Sequence, residues 1–551
     1  MEGIKVTIPQ SIGGAGYNVS GAVKEAISKI KAAGGGELIF EKGEYHFYEK
    51  DTVKKFFVVS NNSACDKNTV ALIEGINGLT VDGNGSVFVF HELAFPFIVS
   101  QSSNIEIKNI IFDRGRYPQA IMKFSDMTDD GFKLEIDKNR DPYYVKDGAL
   151  VFKRDWGEYS GLDSIFSIHA TERQSVEYLI TGDCRESHDN LPANYVMTDA
   201  EETDGGVYFK YRTDKKYKFN FKDGETVTSI LDGRRYIDVI FIEKSSNIKI
   251  SDIKVRRGVG MGIVAQLSRN IEIDNFSTDS KFYGEYSTLT ADALHFVHCS
   301  GKLDIHNCTI ENTSDDAINM HGMYTVIEKT EENAIYSRIM HQEQRKFLLY
   351  ESGDRLEIID NNTFERVSEF IVSNAEFIDD EGVCIKILGH FTKNAERANA
   401  GFLIEIPDKM PDLHLYDNNF NNFPHMRLSG AGNILVENNK LTRCCAALLA
   451  KDLAKYWYES GRIGNLIFRN NYLDDCNKRG GENFILIDVD GVAADKCPKI
   501  HKRIEISGNT FKNIKKRAIF AAGVQELVIE NNTFENITDE LIVIDGKVSE
   551  E

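Results

Sequence analysis

Hydrophobic and polar positions in the second half of the chain follow one eight-residue pattern: apolar, any, apolar, any, any, Asn, any, apolar. It appears as Leu413, Leu415, Asn418, Phe420; as Ile434, Val436, Asn439, Leu441; and as Leu466, Phe468, Asn471, Leu473. It closes the chain as Ile504, Ile506, Asn509, Phe511 and Leu527, Ile529, Asn532, Phe534, with an earlier variant, Leu303, Ile305, Cys308, Ile310, that has Cys in the Asn slot. Alternating apolar residues put one face of each strand inward, and a stacked Asn at the corner can bond the backbone and its neighbours in adjacent coils. Looser copies at Leu79–Asn84, Asn104–Ile107, Asn247–Ile250 and Asn270–Ile273 carry the register toward the N-terminus. The pattern predicts an all-β chain wound as a right-handed parallel β-helix, a single solenoid rather than a string of separate domains.

Three segments depart from the coil period. From Ser20 to Ala33 the apolar residues Ala22, Val23, Ala26, Ile27 and Ile30 lie at helical spacing, with Ser20 as the capping residue and Gly34-Gly35-Gly36 as the stop. This predicts a helix that shields the first coil. Residues 122–231 and 323–411 carry strands without the Asn corner and are expected to form two β-barrel-like or sandwich insertions. Within the second, Leu356–Phe364 imitates a coil but follows a tight Gly353-Asp354 turn, so it reads as a barrel strand. The expected division is therefore 1–121 for the cap and first coils, 122–231, 232–322 for the central coils, 323–411, and 412–551 for the C-terminal coils. A helical excursion over 446–458, anchored by Trp457, is expected to interrupt the last of these.

Composition narrows the class. The 551 residues, 42% hydrophobic with 43 Gly and only 9 Pro, can bury a long core. A formal charge of −20 argues against nucleic acid and favours a neutral glycan over a polyanion. Nine cysteines without a Cys-x-x-Cys signature read as buried thiols. No run approaches a membrane span, and the start Met1–Val6 has neither a basic nor an apolar stretch. Taken literally this places the chain in the cytoplasm; a trimmed leader would place it in the periplasm or outside the cell.

The chemistry concentrates between Asp292 and Gly322. Asp292-Ala293-Leu294-His295-Phe296 recurs in type twenty-four residues later as Asp316-Ala317-Ile318-Asn319-Met320, with Asp315 alongside. Twenty-four residues make one coil, so Asp292 and Asp316 are expected to stack at the ~4.8 Å strand spacing. Glycoside hydrolysis needs an acid and a base on opposite faces of the bond, ~6.5–9.5 Å apart for inversion and ~5–5.5 Å for retention. A stacked pair matches the shorter spacing, and Asp315, at a different position, is expected to lie farther off. Crowding of three carboxylates disfavours joint ionisation and can keep one protonated. Adjacent aspartates are ordinarily solvated turns, as Asp379-Asp380 and Asp474-Asp475 are expected to be; the period-matched third Asp sets this group apart. His295 and His321, rather than His298 or His306, are the histidines expected to orient a sugar or tune the acid. Arg257 (or Arg256), His425 and Arg427 are further candidates for its hydroxyls, and Trp156 and Trp457 for its apolar face.

Asp292–Phe296, Asn312–Gly322 and Gly260-Met261-Gly262-Ile263-Val264 together resemble glycoside hydrolase family 110. The resemblance implies a β-helix interrupted by β-barrels and an inverting exo-α-1,3-galactosidase acting on terminal galactose of blood-group B type or linear glycans. It implies Asp315 as general acid and Asp292 and Asp316 as the bases that position water. No metal or cofactor is expected, and a homodimer is compatible with the sequence. Two other readings stay open: a Ca-dependent polysaccharide lyase using Arg256 or Arg257 as base, and a non-catalytic glycan-binding β-helix.

Overall fold

A computed structural model describes residues 3–116, 119–154, 157–160, 162–167, 177–181, 195–212, 222–230, 237–279, 287–477, 481–489, 491–538 and 541–548. The repeated apolar pair of the octet sets the register of the coils. Leu303 pairs with Leu413, Leu413 with Ile434, Ile434 with Leu466, Leu466 with Ile504 and Ile504 with Leu527, all in parallel. Stacked in this way the chain builds two long, mostly parallel sheets, of 19 and 14 strands among the described residues. The inward residues form one continuous apolar core between them.

The corner asparagines form a ladder. The backbone N–H of Asn418 donates to Asn439 Oδ1 at 3.0 Å, that of Asn439 to Asn471 at 2.9 Å, that of Asn471 to Asn509 at 2.9 Å and that of Asn509 to Asn532 at 2.9 Å. Each side-chain amide also donates inward, as Asn439 Nδ2 does to the Leu415 carbonyl at 2.9 Å and Asn471 Nδ2 to Val436 at 3.0 Å. One side chain thus satisfies two buried backbone groups that the corner would leave unpaired. The ladder ends at Cys308, whose N–H donates to Asn418 Oδ1 but whose thiol has no amide to pass on.

At the N-terminus the helix runs Ser20–Ala32 and buries Val23, Ala26, Ile27 and Ile30 against the first coil. The cap differs from the sequence reading. Ser20 is already helical, and its N–H is satisfied by Asn18 Oδ1 at 3.1 Å while its hydroxyl donates to the Tyr48 carbonyl. Two closed barrels interrupt the solenoid. Seven strands between Gln119–Ser125 and Thr226–Ile230 close the first, beside a small three-stranded sheet made by Tyr143–Lys146, Ala149–Arg154 and Gly157–Ser160. Six strands between Thr325–Glu331 and Leu403–Glu405 close the second, and the coil mimic lies in its strand Arg355–Ile359.

The helical excursion expected over 446–458 is a strand, Ala446–Asp452, and this corrects the sequence reading. Its alanines and leucines favour a helix in isolation, but parallel pairing with His425–Leu428 on one side and Asn483–Val489 on the other overrides propensity. The eight described cysteines are free thiols, five of them buried. Trp156 lies outside the described residues. Among those described, no helix is long and apolar enough to cross a membrane.

Candidate active site

Leu294 pairs with Ile318 and Ile318 with Met426, so the residues just before these strands stack on consecutive coils. The N–H of Ala293 donates to the Asp316 carbonyl, and that of Ala317 to His425, both at 2.9 Å. Asp292 and Asp316 thereby enter adjacent strands at the same level. Asp315 sits in the turn before them, its Oδ1 accepting the Asp316 N–H at 3.1 Å. One carboxylate oxygen from each of the three lies within 4.8 Å of the others, shorter than the separation that the turn position of Asp315 suggested. The strand below must come unusually close to hold this level: a Cβ on Gly262 would lie 2.4 Å from the Ala293 carbonyl oxygen.

The three aspartates line a hollow of about 70 Å³ together with Asn61, Asn319, Arg427, Trp457 and Glu459. Its far wall is built by segments that carry no coil signal. Asn61 stands in left-handed backbone between the strands Val53–Val59 and Ser63–Glu74, and its amide donates to Glu459 Oε1 at 2.9 Å. Glu459 and Ser460 pair antiparallel with Gly322 and Met323, where the chain leaves the solenoid for the second barrel. Gln344, from that barrel's loop, donates to Asn61 Oδ1 and to the Trp457 carbonyl. The first barrel reaches the acid turn through Gln119, whose amide donates to Ser314 at 3.2 Å.

Behind the acids runs a chain of buried partners. His295 Nδ1 meets Asp292 Oδ2 at 2.6 Å, His295 Nε2 meets His321 Nε2 at 3.3 Å, and His321 Nδ1 donates to the Gly322 carbonyl at 2.6 Å. With its Nδ1 as donor, a neutral His321 accepts from His295 through Nε2, and one proton lies in the His295–Asp292 contact. Burial pushes the His321 ring down to about 4, against the opposing pull of Glu459. Burial alone would raise Glu459, but the positive groups facing it, Arg427 and His295, help hold it below the usual carboxylate value. On the other side, His425 Nδ1 meets Asp316 Oδ1 at 2.9 Å and Arg427 Nε approaches Asp316 Oδ2 at 3.6 Å and Glu459 Oε2 at 3.8 Å. Loss of solvent works against a charged His425, yet the Asp316 charge outweighs it and pushes the ring up to about 10.

Of the residues singled out from sequence, Asp292, Asp315, Asp316 and Arg427 line the hollow and His425 stands at its rim. His295 and His321 have no exposed side-chain surface and face Asp292 and Glu459. Arg257 donates to the Arg114 carbonyl, Arg256 pairs with Asp113, and neither lines the hollow. His298 is buried and accepts the Met323 N–H, while His306 stacks on Tyr416. Sequence reasoning missed Asn61, Asn319 and Glu459. Two of the lining residues each carry a buried side-chain atom without a partner: the donor Arg427 Nη1 and the acceptor Asn319 Oδ1. A sugar hydroxyl, which both gives and accepts, can satisfy such a pair.

A parallel β-helix presenting a cluster of carboxylates in a hollow is the class that fold and site define. A model described as a right handed beta helix region matches residues 346–534. Along nearly its whole length the chain is homologous to curated α-1,3-galactosidases. It is 27% identical over 525 residues to alpha-1,3-galactosidase B of Bacteroides thetaiotaomicron, covering 93% of this chain and 82% of that protein. It is 25% identical over 532 residues to alpha-1,3-galactosidase A of Shewanella woodyi, with the same two shares. Against a B enzyme of Phocaeicola vulgatus it is 28% identical over 558 residues, covering 95% and 90%. These relatives agree with the family 110 resemblance of the motifs. Among solved structures, a family 28 exopolygalacturonase of Yersinia enterocolitica aligns over 100% of this chain and 79% of that one, with 12% identity and a TM-score of 0.44.

Proposed function

We propose that this chain is a glycoside hydrolase that releases terminal α-1,3-linked galactose, of blood-group B type or from linear α-1,3-galactosyl glycans, with inversion at the anomeric carbon. The observation that carries the reading is the meeting of three carboxylates with an unpartnered donor and acceptor in one hollow, in a chain related along 93% of its length to α-1,3-galactosidases. In this reading Asp315 protonates the glycosidic oxygen, and Asp292 and Asp316 hold the water that attacks the opposite face. His425 and Arg427 keep Asp316 ionised, and the His295–His321 pair keeps Asp292 in place. Asn61 and Glu459 close the end of the hollow, so a chain terminus enters and the middle of a polymer does not.

One observation favours a second reading of the stereochemistry. The closest carboxylate oxygens, within 4.8 Å, approach the ~5–5.5 Å of a retaining pair more nearly than the ~6.5–9.5 Å of an inverting one. The three carboxylates have the spacing of a cation site, which the Ca-dependent lyase alternative needs, but the rest of the site does not suit its substrate. A uronate would meet Asp292, Asp315, Asp316 and Glu459 against the single guanidinium of Arg427.

Incubation with α-1,3-, α-1,4- and α-1,6-linked digalactosides, followed by NMR of the first-formed anomer, tests the proposal. Release of β-galactose from the α-1,3 substrate alone is expected. First-formed α-galactose would establish retention, equal release from all three linkages would remove the linkage claim, and an ultraviolet-absorbing unsaturated product from a uronan would return the lyase.

A further inference from the structure

The hollow around the aspartates does not end at its rim. A cleft of about 370 Å³ adjoins it, and the two share the side chains of Arg427 and Trp457 as a common wall. The cleft floor follows the coil stack from His425–Leu428 across Ala446–Asp452 to Asn483–Val489, two coils or about 10 Å along the solenoid axis. Leu449 and Leu486 give it an apolar stretch, and Lys451, Glu482 and Asn483 give it polar edges. Asn61 and Glu459 line the hollow but not the cleft. A glycan whose last ring lies among the aspartates therefore continues into the cleft.

The rim between the two spaces has an unusual backbone. Tyr456 and Tyr458 both adopt left-handed conformations, with φ of +60° and +54°. Bulky side chains rarely accept this region, and such outliers gather where a site needs a side chain held out. Here they flank Trp457, whose ring rests on His341 at 4.4 Å and meets Tyr456 edge-on at 5.2 Å. The Trp457 carbonyl is fixed by Gln344. Tyr456 itself lines the cleft and stands 72% exposed, a large aromatic surface whose ring contacts are edge-on to Trp457 and His341.

We infer that Tyr456 and Trp457 form an aromatic platform for the sugar that carries the terminal galactose, so that segment 455–458 selects the leaving group. The apolar C–H face of a pyranose suits such a surface, and the polar edges suit its hydroxyls. The inference rests on the galactosidase reading and adds to it the site where the rest of the glycan is held.

The test compares two substrates on the same sample: an α-1,3-linked digalactoside, which fills the cleft, and α-galactosyl fluoride, which does not. Tyr456→Gly removes the ring while accepting the positive φ, and Tyr456→Asn, which also tolerates left-handed backbone, serves as a second variant. Because both rates come from one sample, their ratio is independent of the folded fraction. The expected result is a fall of about tenfold in the ratio of kcat/KM for digalactoside over fluoride, carried mainly by KM. An unchanged ratio in both variants overturns the platform and leaves the galactosidase reading standing. Failure of the unaltered protein to release galactose from either substrate overturns both.

Discussion

The acid role proposed for Asp315 can be separated from a structural one by the choice of leaving group. A glycosidic oxygen needs a proton to depart, whereas fluoride needs little help. Asp315→Asn is expected to lower turnover of an α-1,3-digalactoside by about 10³-fold while α-galactosyl fluoride hydrolysis falls by no more than about tenfold. Equal losses on both would reassign the acid. The three aspartates were legible in sequence because one coil separates Asp292 from Asp316, and a period can be read without coordinates. Asn61 and Glu459 were not, because they touch across 398 residues from hairpins that share no repeat. His295 and His321 were legible as partners of the acids, but that they lie fully buried against Asp292 and Glu459 was not, because Glu459 comes from a strand distant in sequence.

At the scale of strands, the level of the aspartates depends on how closely the coil below can pack. Gly262 is the point of closest approach. A Cβ there would lie 2.4 Å from the Ala293 carbonyl oxygen and 3.0 Å from the Phe276 ring, so the coil bearing Asp292 must shift. Gly262→Ala is expected to destabilise the fold by about 1–3 kcal/mol and to lower kcat of the remaining folded protein at least tenfold, since sub-ångström misplacement of a catalytic group is costly. Urea unfolding and active-site-normalised kinetics measure the two, and no change in kcat would show that the register tolerates the displacement. The Asn ladder was readable for the reason that makes it stable: each rung needs an amide at one fixed offset from two apolar residues. Residues 446–452 were misread because alanine and leucine describe a helix when seen alone, and only the neighbouring coils convert them to a strand.

For the molecule as a whole, three buried imidazoles couple the fold to acidity. His321 and His501 are each pushed down to about 4 and His298 well below its ordinary value, in every case chiefly by burial. His501 accepts the Ile463 N–H through Nδ1, and His298 accepts that of Met323 through Nε2. A ring whose folded pKa is depressed stays neutral in the native state while the unfolded chain takes up a proton below about 6.5. The contribution of these rings is therefore complete above that pH and falls as pH drops below about 6.5, toward 4 for His321 and His501, by about 3 kcal/mol for each of those two when fully titrated. Urea midpoints recorded across this window are expected to decline steadily, and a flat profile would contradict the neutral assignment. The two insertions were legible as strands outside the coil period, but the choice between barrel and sandwich was not, because closure of a barrel depends on long-range pairing that no local pattern records.

The contact between Asn61 and Glu459 has a consequence for when the molecule becomes competent. While the polypeptide is still leaving the ribosome, the aspartate trio is translated and wound well before residue 459 emerges, and until then the basin beside it stays open to water on one flank. Solenoid coils can settle in order from the first, but the lock that completes the basin joins an early hairpin to a late one. A nascent or truncated chain can therefore look folded and remain inert.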